Sequence, residues 1–151
     1  MSIRGIEARA FMSSSRQPLY KWVILFLSAL LLHLSNGDVG TGSRYGPPYR
    51  PTACFGNDGS QFPTNNQFAA VGEQLWDNGA ICGKIYLVRC LSGSTPKPCI
   101  PGKTIEVKVV DRAQTSVSRP TAPATFVLSN EAFAAIANPS AKSINVEYSR
   151  K

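Results

Sequence analysis

The clearest alternation of apolar and polar positions runs from Ile105 to Arg112 (IEVKVVDR), where Ile105, Val107 and Val109 are separated by Glu106 and Lys108. Successive side chains of an extended chain point to opposite faces, so this stretch predicts a strand with one buried face. By the same alternation Asp111 falls on the apolar face, which puts a carboxylate where a core stops. A carboxylate there either floors a cleft or holds the following loop. A second predicted strand, Ala124 to Ser129 (ATFVLS), carries Thr125, Phe126, Val127 and Leu128, and no acid. In Lys84 to Leu91, Ile85 and Leu87 alternate with Tyr86, Val88 and Cys90, which predicts burial on both faces. Ser143 to Ser149 alternates cleanly, with Ile144, Val146 and Tyr148 inward, while Asp38 to Tyr45 alternates weakly and Phe68 to Val71 is a brief apolar stretch.

Two short helices interrupt this pattern. Gly72 to Asp77 buries Leu75 and Trp76 and ends at Asn78-Gly79. Asn130 to Ala137 opens after Ser129, a good N-cap, has Glu131 in its positive first turn, buries Phe133 and Ile136, and stops at Asn138-Pro139. Between these elements, Gly46 to Thr52 (GPPYRPT) is a proline-stiffened turn flanked by Tyr45 and Tyr49. Aromatic rings on a rigid loop stack on sugars, and equally pack against their own protein. Trp76 has the same two readings, a sugar platform or packing over the neighbouring Cys82. Cys54 to Asn66, Ser92 to Gly102 and Arg112 to Pro123 read as loops by composition. Several short strands with two short helices point to a small, mainly β barrel.

The N-terminal part breaks with this. The apolar run Trp22 to Leu34 follows Arg4, Arg9, Arg16 and Lys21 and is short for a bilayer span, the pattern of a secretory signal. Ser35 and Gly37 place the expected cleavage between Gly37 and Asp38, giving a signal peptide over 1–37 and a domain over 38–151; a retained anchor is the alternative, and Met12 an alternative start. Removing the leader lowers the net charge from +7 to +4, because it carries four basic residues and one acid. The remaining cations are scattered, which argues against nucleic acid and favours loose attraction to acidic polymers or anionic membranes. The single histidine, His33, lies in the leader, so histidine triads and histidine-ligated zinc are excluded from the mature domain.

A mature chain of about 114 residues suits one domain with one modest core. Four cysteines in a secreted chain imply two disulfides. Three connectivities are possible; Cys54–Cys82 with Cys90–Cys99 is the favoured one, each bridge contributing about 3 kcal/mol by loop closure. No C-x-x-C pair is present, which argues against zinc, and no cofactor is expected. No N-x-S/T sequon with a permissive middle residue occurs, Asn138-Pro139-Ser140 being disqualified by its proline.

The order YGPPY, ACFG around Cys54, LWDNGAICG from Leu75 to Gly83, YLVRC ending at Cys90, VKVVD ending at Asp111, and TFVLSNEAFAAIA resembles the plant natriuretic peptide group, whose members have an endoglucanase-45-like (expansin-like) domain and lack the second, carbohydrate-binding domain of expansins. The likeness spans essentially all of 38–151. It implies a six-stranded double-psi β-barrel, secretion to the plant apoplast, and a part in water and solute homeostasis or stress signalling. It also supports the Cys54–Cys82 and Cys90–Cys99 pairing. Two departures matter. Where the family commonly has a cysteine two residues after the aspartate matching Asp111, this chain has Ala113, so the Arg112 to Pro123 loop is expected to be looser. Where related proteins read roughly I-D-L-S or F-D-L-S before the second helix, this chain has Val127.

Inverting glycoside hydrolysis needs an acid to protonate the leaving oxygen and a second carboxylate about 6.5–9.5 Å away to activate water. With Val127 in place, Asp111 stands alone. Asp58, Asp77 and Glu131 sit in loops or at helix ends and Glu106 alternates away, so none replaces the missing partner. The expected protein is therefore a secreted, non-catalytic, monomeric barrel that acts by binding. The first reading is a signalling role through a plant membrane receptor; the alternative is a cell-wall polysaccharide contacted by Tyr45, Tyr49 and Asp111, and a weak endoglucanase is the remaining reading.

Overall fold

A computed structural model of the chain describes residues 18–32, 37–118 and 123–151. The leader's Arg4, Arg9, Met12, Arg16, His33 and Ser35 lie outside the described residues. The chain divides into two units, before and after Gly37. The first contains α1 (Leu19–Leu32), and among the described residues no helix is long and apolar enough to cross a membrane.

In the second unit, six strands close on themselves: β1 (Asp38–Tyr45), β2 (Phe68–Val71), β3 (Ile85–Gly93), β4 (Thr104–Arg112), β5 (Phe126–Ser129) and β6 (Ile144–Arg150). They close in the order β1-β5-β2-β4-β3-β6. The pairs β1/β5 and β2/β4 are parallel and the others antiparallel. This is the six-stranded double-psi β-barrel, mainly β with short helices. Closure leaves no edge strand exposed among the six, which removes the usual route to edge-to-edge aggregation.

Alternation sorts the side chains. Ala69, Val71, Val107, Val109, Phe126 and Leu128 belong to the barrel's interior cluster, closed by Phe133 and Ile136 of α3 (Asn130–Ile136). β1 supplies mostly glycine to this layer, which is why its alternation looked weak. A Cβ on Gly40 would stand 2.6 Å from Thr125 Oγ1. Bare backbone there lets Thr41 and Thr125 clamp the β1/β5 pair, each amide donating to the other's hydroxyl at 3.0 and 3.1 Å. The intervening residues Phe68, Ala70 and Val127 join a second apolar cluster on the opposite face of the same strands.

Strand β3 corrects one expectation. Tyr86 and Val88 are buried, but Ile85 is 38% exposed and Leu87 only half-buried, so β3 has one buried face. The cysteines pair as Cys54–Cys82 and Cys90–Cys99. α2 (Glu73–Trp76) runs into a single 3-10 turn, Asp77–Gly79. Trp76 is half-buried against the interior cluster, with the Arg112 guanidinium 5.7 Å above its ring. Arg112 is itself held by Glu73 through two bonds of 2.7 and 2.8 Å.

A closed acid face beside an open aromatic cleft

The sequence places Asp111 on the face of Val109, and the structure moves it. In the β2/β4 register Ala69 pairs with Val109 but Ala70 pairs with Asp111, so Val110 is an extra residue, a β-bulge. The bulge shifts the alternation by one. Val110 joins the outer cluster, and Asp111 stands opposite Ala70 on that outer face. From the other side Ala70 pairs with Val127, and Val127 pairs with Ser43 of β1. Ser43, Val127, Ala70 and Asp111 thus form one row across four strands. Asp111 and Val127 are two strand spacings apart, about 10 Å between backbones.

The row is covered. Asp111 is 1% exposed and Val127 0%. Tyr45, at the end of β1, is 4% exposed, and neither it nor Asp111 presents the sugar-contacting surface expected of it. The Asp111 carboxylate is instead a clamp: Oδ1 accepts from the Ala53 and Arg112 amides, both at 2.8 Å, tying the Cys54 loop to the end of β4. Oδ2, the Tyr45 hydroxyl and Ser43 Oγ are buried without a hydrogen-bond partner. Burial pushes the Asp111 carboxyl above its ordinary 3.8, the two amide donors pulling it only partly back. Burial, with the Asp111 charge beside it, also raises the Tyr45 phenol.

A carboxyl whose pKa is raised by folding binds its proton more tightly in the folded state. Its contribution is therefore greatest below the unfolded value and is lost as pH rises through the folded one. Asp111→Asn keeps the Oδ1 acceptor and removes the charge. Its stability should equal or exceed that of the wild type at neutral pH, the advantage shrinking below about pH 4, as urea melts across pH will show. Asp111→Ala, which strands both amides, should cost about 1–3 kcal/mol.

Above the closed row lies a cluster of rings. Tyr49 meets Tyr45 edge-on at 4.9 Å and Phe68 at 4.7 Å, and Phe62 meets Phe68 at 4.7 Å. The loop bearing them is pinned from several sides. Tyr49 donates to the Tyr45 carbonyl at 3.2 Å, Ser118 Oγ to the Pro48 carbonyl at 2.7 Å, and Lys108 Nζ to the Gln61 carbonyl at 2.8 Å. Ser129 caps α3 by accepting from Ala132 at 3.1 Å while its hydroxyl donates to the Asn66 carbonyl. Within this frame opens a cleft of about 610 Å³, walled by Pro47, Tyr49, Arg50, Phe62, Asn66 and Phe68 among others. Tyr49 is the one sequence-proposed contact residue that reaches it. Arg50, Asn57, Phe62 and Phe68 were not anticipated. Phe62, an apolar residue in an otherwise polar loop, was the one available signal.

A profile of a double-psi β-barrel family described as lytic transglycolase matches residues 68–148. An EG45-like domain containing protein of Citrus jambhiri is 40% identical over 116 residues, covering 74% of this chain and 79% of the relative. The chain belongs to the EG45-like family. A putative EG45-like domain containing protein 1 of Arabidopsis thaliana is 36% identical over 133 residues, covering 83% of this chain and 95% of that one. Among solved structures, a mutant expansin of Clavibacter michiganensis in complex with cellohexaose aligns with TM-score 0.56 at 21% identity. It covers 76% of this chain, which spans about half (50%) of that expansin's length. The apo form of the same expansin gives TM-score 0.55 at 20% identity. At this identity the likeness to expansin is one of fold. In this EG45-like barrel the aromatic cleft stays open while the acid row beneath it is closed.

Proposed function

We propose that this EG45-like chain is a secreted, non-catalytic barrel that binds cell-wall polysaccharide in the plant apoplast. The observation that carries this reading is the closure of the acid face: a lone buried carboxylate, a valine where its partner would stand, and an aromatic lid over both. General acid–base help from a second group is worth about 10²- to 10⁴-fold in rate, and no other acid shares the row to supply it. What remains accessible is the cleft, where half-buried aromatic edges and side-chain amides offer the mixed apolar and hydrogen-bonding surface that sugar rings require. Support comes from the cellohexaose-bound expansin that shares the fold and from the basic, apolar leader, which fits export. Tyr49 makes the contact in this reading, with Tyr45 packed edge-on against it.

The test is retention on insoluble cellulose and pectin. The wild type should be retained, part of that retention surviving added salt as stacking does, and Tyr49→Ala should weaken it roughly tenfold. No retention at low salt removes the polysaccharide reading. Release of reducing sugar at a catalytic rate would restore the endoglucanase reading.

A second reading has one observation in its favour. The chain accounts for 79% and 95% of the length of its Citrus and Arabidopsis relatives, which leaves those proteins no room for a second expansin-sized domain. Such a barrel acting alone fits the systemic role in water and solute homeostasis, through a plant membrane receptor, that the natriuretic peptide resemblance implies. Protoplasts that fail to swell on addition of purified protein would count against it.

A further inference from the structure

Among the described residues the aromatic cleft carries a single charged side chain on its wall, Arg50. Arg50 is exposed, and its Nη1 donates to the Asn57 carbonyl at 3.0 Å, which biases the side chain toward the cleft wall. The guanidinium lies over Gly59, where a Cβ would stand 2.7 Å from Nη1 and 3.3 Å from Cζ.

The guanidinium is also unspent. A guanidinium has five N–H donors, and among the described residues the Asn57 carbonyl is the one acceptor that Arg50 meets. Among the described residues Arg50 makes no ion pair, all three pairs lying elsewhere. Asp58 is the nearby acid on the same loop, and its Oδ1 is occupied, accepting from the Ser60 amide at 3.0 Å and the Ser60 hydroxyl at 2.6 Å. These bonds chiefly hold its carboxyl below the usual range, with the Arg50 charge a lesser cause.

We propose that the cleft selects an anionic, uronate-containing polysaccharide over a neutral glucan, with Arg50 gripping a sugar carboxylate through two parallel N–H···O bonds while Tyr49 packs on the ring. A guanidinium with donors to spare beside an aromatic wall is complementary to a planar carboxylate carried on a sugar ring and wasted on a neutral hexose. The net +4 of residues 38–151 steers the same class of polymer toward the barrel without specifying where it docks. This inference rests on the polysaccharide reading above and adds the substrate class.

The experiment titrates the full chain with hexagalacturonate, its methyl ester and cellohexaose. The ester keeps the ring and removes the charge. Hexagalacturonate should bind at least about tenfold more tightly than the ester, and Arg50→Gln should erase that ratio. Arg50→Lys keeps the charge but loses the fork, and should fall between. Lys142→Gln makes the same charge change on an exposed residue away from the cleft and should alter affinity by less than about twofold. Circular dichroism confirms that each variant is folded. Equal or weaker binding of hexagalacturonate relative to its ester, or an effect of Lys142→Gln as large as that of Arg50→Gln, overturns the uronate inference and leaves the polysaccharide reading standing. Binding of none of the three sugars by folded wild type overturns both.

Discussion

Replacing Val127 by aspartate, the change that would nominally complete a catalytic pair with Asp111, should destabilise the barrel and produce no hydrolase. Val127 is fully buried between Ser43 and Ala70 in the outer cluster, where the unpartnered Ser43 hydroxyl is the donor directly beside it. The substitution loses about 2 kcal/mol of apolar burial and adds a buried carboxyl that one hydroxyl, from Ser43, satisfies only in part, so its desolvation costs several kcal/mol more, against a typical total stability of about 5–15 kcal/mol. A fall in melting temperature of roughly 20 °C is expected. Burial and the neighbouring Asp111 would both raise the pKa of the introduced carboxyl. The folded state then binds its proton more tightly than the unfolded state, so the deficit grows as pH rises from about 4. Val127→Asn carries the polarity without the charge and should show a smaller loss with little pH dependence. Thermal melts across pH, with reducing-sugar release measured on the folded fraction, check both halves. A Val127→Asp protein that melts with the wild type and cleaves glucan would mean the face is open, and the non-catalytic reading would fall.

Phe68→Ala should be the most damaging change to the cleft. Phe68 is buried where three rings converge, with edge contacts to Tyr49 and Phe62 at 4.7 Å and to Tyr45 at 6.4 Å. Truncating a buried phenylalanine costs about 3–5 kcal/mol, part of it the aromatic pairs at about 0.5–1.5 kcal/mol each. The functional loss should outrun the stability loss. Tyr49 and Phe62 stand on either side of Phe68 as cleft walls, and without the ring between them their orientations are no longer fixed. Retention on pectin or cellulose, measured well below the variant's own melting temperature, should fall to background. Phe68→Leu should retain most of the stability and only part of the binding. If Phe68→Ala melts within a few degrees of the wild type, the ring cluster does not frame the cleft as described.

These two positions share a cause. β2, β5 and the end of β4 from Val109 to Asp111 are buried on both faces, so the barrel has a second apolar layer outside its interior core. That layer seals the row where glycoside chemistry would occur and supports the rings that remain accessible. One set of side chains thereby closes one site and frames another.

The elements themselves were legible because their causes are local. Period-2 alternation marked β4 and β6, and β1 runs from Asp38 to Tyr45 as expected, its weak alternation explained by glycines on the inner face. Ser129 announced the start of α3 and Asn138-Pro139 its end, because capping and proline geometry act within one turn. The order of motifs from YGPPY to TFVLSNEAFAAIA carried the family and hence the double-psi barrel. The absence of an acid at Val127 could be read directly, since it is a matter of residue identity.

What only the tertiary structure decided is which way the chemistry points. Strict alternation puts Asp111 inside; the bulge at Val110 puts it outside, and that bulge exists only in the register of β4 against β2, a strand some forty residues earlier. The burial of Tyr45 and the seating of Arg50 likewise depend on where the loop from Gly46 to Asn66 lies, which is settled by bonds from Ser118, Lys108 and Ser129, distant in sequence. Local propensity fixes the direction of a side chain only relative to its neighbours along the chain. Whether that direction meets solvent, a core or a ligand is set by what the rest of the chain packs against it.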